Sequence, residues 1–256
     1  MSQRLSPRRW FWFSSISFAL VLLHLLLAMV AFSSYLSQAQ WLAYVMDTYT
    51  WRVVWFSWWQ ACLSTFISLS AAVLVARALA RRQSFVGRWL LLRCFSVALV
   101  VPSVIAVFGI ILLHGKYGYF NQLWLWLGGQ PHSYVYGLTG ILLAHVFFNL
   151  PLATRILLQR LDAINAETWR LSSQLGMTSM DLWRHIEWPH LKGVLPQLAA
   201  LVFALCFTSF AIVMTLGGGP KATTIEVAIF QAIRFDFDIA KAVYLSLLQI
   251  VFCGLI

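Results

Sequence analysis

Apolar positions gather into six long stretches, Trp10–Leu36, Val53–Ala76, Cys94–Leu113, Gly137–Thr154, Val194–Leu216 and Ala242–Ile256, separated by more polar connections. All but the fourth and the last are near or above the roughly 20 residues a helix needs to cross the hydrocarbon core of a bilayer. The pattern predicts an all-α, polytopic transmembrane helical bundle of about six spans. Arg4, Arg8 and Arg9 precede the first stretch as in a signal peptide. That stretch is nevertheless far longer than the roughly 7–15 apolar residues of a signal core, so it is read as a span.

One connection, residues 160–192, has a pattern of its own. Leu161, Ile164, Thr168, Leu171 and Leu175 recur at three and four residues, along one side of a helix, while Arg160, Glu167, Arg170 and Gln174 fall mostly on other sides. Gly176 breaks that helix. Thr178 and Asp181 then have the spacing of a helix-capping pair, Leu182, Trp183 and Ile186 give a second helix its apolar side, and Pro189 is expected to stop it. Two short amphipathic helices meeting at a glycine fit either a surface loop folded back on its own bundle or a grip for an outside protein.

Composition changes the picture mainly by exclusion. With 61% apolar and 10% charged residues, the chain is no soluble domain. The net charge of +10 sits in short connections rather than on one stripe, which argues against nucleic acid and for membrane topology. Thirteen Lys and Arg lie in the N-terminus and the second and fourth connections, against five on the other side. The excess places the N-terminus and the Gly176 loop in the cytoplasm. Trp10, Trp12, Trp41, Trp51, Trp89, Trp124 and Trp126 lie near span ends, as interfacial anchors do.

Little in the chain points to chemistry. The six stretches contain no Asp, Glu, Lys or Arg, so an ion-coupled carrier lacks the intramembrane charge it would use, and energy is expected from outside the bundle. Sequence spacing matches no serine with a His or Lys partner and pairs no carboxylates within the six stretches, which leaves an enzyme poorly supported. Cys62, Cys94, Cys206 and Cys253 are scattered and read as small buried apolar residues, and His185 and His190 form no metal motif. The polar exceptions are His24 and, four residues apart on one helix face, His145 and Asn149, with Pro151 freeing a nearby carbonyl. His145 and Asn149 either hold a kink or a neighbouring helix, or line a translocation path. After the fifth stretch, Gly217, Gly218, Gly219 and Pro220 permit a sharp reversal before a short helix with Ile225, Ala228, Ile229 and Ala232 on one face. That helix is read as an outer gate or delivery-protein contact, or as a plain interfacial helix.

The loop resembles the cytoplasmic coupling loop of ABC importer permeases, in which an E-A-A triplet is followed by three residues, Gly, nine residues, Ile, one residue and Leu-Pro. Gly176, Ile186 and Pro189 match that spacing, whereas Arg170, Leu171 and Ser172 replace the triplet and Trp188 replaces Leu. More broadly, FSWWQACLS, ARALARR, GILLAHVFFNLP, SSQLGMTSMDLWRHIEWP and LGGGPKATTIEVAIFQAI are similar to the N-terminal half of bacterial thiamine ABC transporter permeases, over residues 51–256. The resemblance implies a type I importer permease (MetI-like) fold, a bacterial inner-membrane location, a cytoplasmic ABC ATPase and a periplasmic thiamine-binding protein. It also implies that the permease does no bond chemistry and binds no cofactor, ATP and magnesium being held by the ATPase. Glu167, Arg170, Leu171, Ser172, Gly176, Met177, Leu182, Ile186 and Pro189 are the implied ATPase-coupling residues. Residues 1–256 are read as one permease domain, the first half of a tandem chain or one that pairs with a second copy. A ferric-iron permease is the nearest rival, and an ATP-independent channel or secondary carrier the rival from another class.

Overall fold

The computed structural model describes residues 15–20, 22–24, 26–27, 30–31, 34, 38–130, 133–219 and 222–255, and every regular element among them is helical. In chain order these are α1 (Gln38–Val45), α2 (Thr48–Arg81), α3 (Arg88–Val100), α4 (Ser103–His114), α5 (Tyr119–Trp126) and α6 (Leu138–Asp162). They continue as α7 (Ala166–Gln174), α8 (Ser179–Leu191), α9 (Leu195–Phe207), α10 (Phe210–Leu216), α11 (Ile225–Arg234) and α12 (Ile239–Gly254). The chain divides into two units, Arg52–Val227, and Met1–Trp51 with Ala228–Leu255.

In the larger unit, α2 buries a stripe of small residues. Ser57, Ala61, Ser64, Ser68, Ala72 and Ala76 are inaccessible, while Trp55, Phe66 and Leu74 on other faces are exposed. Small side chains let helix backbones approach closely where lipid offers no hydrophobic drive to association. Ser57 donates to the Val53 carbonyl (2.8 Å) and Thr65, beside the stripe, to that of Ala61 (2.7 Å), whereas the buried Ser68 hydroxyl has no hydrogen-bond partner among the described residues. Val107 and Ile110 of α4, Ile141 and Ala144 of α6, and Ile212, Val213 and Leu216 of α10 form one apolar core with Val135, Ala222 and Val227. A second contact stacks Phe203 on Phe207 against Trp58.

In the smaller unit, Trp41 and Tyr44 of α1 pack on Tyr244 of α12, and the Tyr44 hydroxyl donates to Asp238. Asp238 also caps α12 by accepting from the Lys241 amide at 2.9 Å.

Some details differ from expectation. Among the described residues, three helical segments are long and apolar enough to span, Thr48–Arg81, Ser103–Trp126 and Leu138–Asp162, and a fourth results if Ser179–Leu191 and Leu195–Phe207, bent by 63°, count as one. Of the first stretch, the described residues 15–20, 22–24, 26–27 and 30–31 are helical, and α12 has 16 residues. The third stretch is two helices, because Pro102 forces Val101 into extended backbone (φ −64°, ψ 126°). The fifth is likewise broken, at Thr208 and Ser209. Only Cys206 is buried, whereas Cys62, Cys94 and Cys253 are exposed. An apolar side chain facing lipid has no reason to be buried in protein.

The coupling loop and a buried polar junction

Residues 163–194 fold as two helices joined at a left-handed glycine. Gly176 has φ 64°, its N–H bonds the Ser173 carbonyl, and the Met177 N–H bonds that of Ser172. These two bonds satisfy carbonyls that the end of α7 would otherwise leave open. Thr178 and Asp181 then cap α8 reciprocally, as their spacing predicts. The Thr178 hydroxyl, then its amide, hold the Asp181 carboxyl below the ordinary aspartate range. A lowered pKa means that the cap contributes above the unfolded value and weakens as pH falls through the folded one. Protection of the Asp181 and Leu182 amides, corrected for intrinsic exchange, is therefore expected to hold from neutral pH to about pH 4 and to drop below it; a flat profile would remove the carboxylate from the cap.

Two features of this loop differ from expectation. Pro189 does not stop the second helix, because Trp183–Glu187 form a π turn in which the Trp188 N–H reaches the Trp183 carbonyl, and α8 continues to Leu191. The widened turn takes up the proline, which sits in the first turn of the segment after it and has no N–H to place. Nor is the apolar side of α7 continuous with that of α6. Leu161 and Ile164 are buried, but the chain turns between Asp162 and Ala166, and Ser172 rather than Leu171 or Leu175 faces inward. Leu171 and Leu175 are 57% and 70% exposed. Glu167, Arg170 and Pro189 are also exposed, Met177 and Leu182 half-buried, and Ile186 buried.

What fixes the loop to the bundle is a carboxylate that the sequence reading left out. Glu187 is 1% exposed, and its two oxygens accept from Arg77 Nε (2.5 Å) and Arg81 Nε (2.6 Å), which lie one turn apart on α2. Both guanidinium groups also donate to the Ser179 carbonyl at the start of α8, and Arg77 lies 4.8 Å from the centre of the Trp183 ring. The arginines of the second connection and the 160–192 loop thus meet at one end of the unit.

Deeper in the unit, His145 joins three helices. Its Nδ1 lies 2.8 Å from Ser64 Oγ on α2 and its Nε2 2.7 Å from Ser209 Oγ at the break between α9 and α10. Ser209 spends its proton on the Cys206 carbonyl (2.8 Å), so His145 Nε2–H donates to Ser209, and Nδ1 accepts from Ser64. The broken helix makes this arrangement necessary: the Phe210 N–H turns to Thr208, and the Cys206 carbonyl takes Gln60 Nε2 (3.0 Å) and Ser209 instead. Asn149 donates to Cys206 Sγ at 3.1 Å. His145 and Asn149 therefore do bind neighbouring helices. They also line, with Ser103, Thr208 and Ser209, a cavity of about 500 Å³ beside the break.

The glycine turn lies about two helical turns of α6 away, where the Gly137 N–H donates to the Leu216 carbonyl (2.7 Å). A Cβ on Gly217 would lie 2.5 Å from the Val213 oxygen, and Gly218 and Gly219 have φ 69° and 129°. Pro220 lies outside the described residues. Residues 222–227 are all buried except Glu226, and Ser57 Oγ accepts the Ile225 N–H at 3.0 Å. Sequence reasoning missed Gln60, Ser64, Ser209 and Glu187. For Glu187 a signal existed in two arginines four residues apart and one carboxylate late in the loop.

A helical bundle of apolar spans carrying a polar two-helix loop is a class of membrane protein with known members. Residues 64–256 match the family described as binding-protein-dependent transport system inner membrane component, and the chain belongs to that family. It is thus a multi-pass inner-membrane component. The chain is 53% identical over 207 residues to the thiamine transport system permease protein of Salmonella typhimurium, covering 81% of this chain and 38% of the relative. To that of Escherichia coli it is 51% identical over 216 residues, covering 84% and 40%. It thus spans about two fifths of the length of these relatives. Its fold is that of a permease chain in a bacterial alginate ABC transporter solved with an alginate pentasaccharide-bound periplasmic protein (TM-score 0.82, 12% identity, covering 97% of this chain and 91% of that one).

Proposed function

We propose that this chain is one permease half of an ATP-driven importer of thiamine, and of thiamine phosphates, across the bacterial inner membrane. The observation that carries the reading is the identity above 50% to thiamine transport permeases. In this reading the N-terminus and the 160–192 loop face the cytoplasm, and a separate ABC ATPase holding ATP and magnesium seats on the loop. The exposed Leu171 and Leu175, flanked by Glu167 and Arg170, offer it an apolar patch with charged edges. A periplasmic thiamine-binding protein delivers the substrate at the Gly217–Gly219 end, and a second permease half, fused or a second copy, completes the path past His145 and Asn149. The chain itself performs no bond chemistry.

Labelled thiamine uptake into proteoliposomes containing the full-length permease, its ATPase and its binding protein tests the reading. Uptake is expected to require both internal ATP and the binding protein. Uptake driven by a proton gradient alone, or movement of ferric iron in place of thiamine, would overturn it.

Gly176 gives a narrower test of the loop. Nothing lies within 4 Å of a Cβ there, so only the left-handed backbone resists a side chain. Gly176→Asn, which tolerates that conformation, is expected to keep uptake, and Gly176→Val to add about 1–2 kcal/mol of local strain and lower uptake per ATP hydrolysed. Equal coupling ratios in the two variants would count against the loop as the ATPase contact.

A further inference from the structure

A cleft of about 690 Å³ opens between α3 and α6, at the end of the unit where α3 begins and α6 finishes. Arg93 enters it from α3 and Arg155 from α6, and neither has a carboxylate within ion-pair distance among the described residues. Both guanidinium groups are nonetheless held in place. That of Arg93 lies 3.6 Å from the centre of the Trp89 ring, which occupies its face and leaves its N–H edge available. Arg155 Nη1 donates at 2.6 Å to Ser96 Oγ, whose own proton goes to the Leu92 carbonyl at 3.0 Å. Arg88, four residues before Leu92 on the same side of α3, has its Nε buried without a hydrogen-bond partner. Asp162 is the one acidic residue in the lining, so the cleft remains net positive.

Apart from Gln159, the rest of the wall is apolar. Leu99, Leu152 and Ile156 line the cleft beyond the arginines, and Ser96 is shared with a second groove, of about 450 Å³, that runs over Val97, Val100 and Val101 to Pro102. Two fixed cations at a polar end and an apolar track leading away from them have the chemistry of one ligand, a phosphate diester carrying acyl chains. Basic pockets between transmembrane helices select such headgroups by charge.

We propose that the cleft between α3 and α6 is a binding site for an anionic phospholipid of the leaflet on the side of the 160–192 loop, with Arg93 and Arg155 on the phosphate and the groove to Pro102 taking an acyl chain. The site is independent of the substrate assigned above. A glycerophospholipid seated there would pin the start of α3 to the end of α6, which leads directly into α7.

Native mass spectrometry of the full-length permease, titrated with phosphatidylglycerol, phosphatidylcholine or glycerol 3-phosphate, tests the site. Phosphatidylglycerol is expected to be retained in preference to phosphatidylcholine, and binding to weaken about fivefold in Arg93→Ala or Arg155→Ala and about thirtyfold in the double variant. Arg82→Ala/Arg160→Ala, which removes the same charge outside the cleft, is expected to bind within about twofold of the unmodified protein. Arg93→Lys/Arg155→Lys, which keeps the charge, is expected to bind more tightly than the double alanine variant and so separates lost charge from lost fold. Equal loss in the two double alanine variants, equal retention of phosphatidylcholine, or displacement of the lipid by glycerol 3-phosphate at equal concentration would overturn the proposal.

Discussion

Arg77→Ala/Arg81→Ala is expected to lower the stability of the full-length protein by about 3–5 kcal/mol, because it leaves the Glu187 carboxylate buried with no cation beside it. Glu187 is 1% exposed, and among the described residues its oxygens are engaged by these two side chains. The reverse change, Glu187→Gln, is expected to cost less. Both arginines are about a quarter exposed and keep the Ser179 carbonyl as acceptor, so their charge turns to water when the carboxylate is lost. The asymmetry distinguishes a buried ion triad from ordinary surface pairs, whose removal from either side costs similar small amounts. Thermal unfolding in detergent checks the order, and equal midpoints for the two variants would contradict the burial of Glu187. Because the triad ties α2 to the start and the π turn of α8, the double arginine variant is also expected to loosen the loop, read as faster proteolysis between Ala163 and Val194.

His145→Ala is expected to cost about 2–4 kcal/mol, from a cavity among three helices and a Ser64 hydroxyl left without its acceptor. Ser209→Ala removes one of two donors to the Cys206 carbonyl and one of two partners of His145, and is expected to cost about 1 kcal/mol. Since Gln60 still reaches that carbonyl, the helix break should survive. If the junction lines the path, thiamine uptake in His145→Ala falls more than tenfold even at temperatures where the variant remains folded. A His145→Ala protein as stable as the unmodified one would refute the bridging geometry itself. The two junctions lie about 20 Å apart along α2 and share no partner, so their stability effects are expected to add within about 0.5 kcal/mol.

The sequence by itself determined the helical class, the membrane setting and the two-helix loop. Each of these rests on local or near-local physics. Apolar run length is set by bilayer thickness, Gly176 by the left-handed backbone that only glycine enters freely, and Thr178 with Asp181 by a cap that spans three residues. The same local rules misread Pro189, since a π turn absorbs a proline that helix propensity alone treats as a stop. They also ran the apolar stripe of α6 through the turn at Asp162–Ala166 into α7, where the phase of the helix is reset and Leu171 turns outward.

Only the tertiary structure decided which polar residues matter together. Glu187 meets Arg77 and Arg81 across 110 and 106 residues of chain, and His145 meets Ser64 across 81 and Ser209 across 64. No periodicity encodes such pairs, because each partner satisfies its own helix pattern equally well with or without the other. Ser57, Ser64 and Gln60 look like ordinary polar interruptions of an apolar run, and packing alone turns them into the cap of α11, the donor to His145 and the donor to a broken helix. The physical reason is common to both junctions. A polar group removed from water and from lipid must find a partner inside the protein, and where that partner lies is a property of how the helices stack.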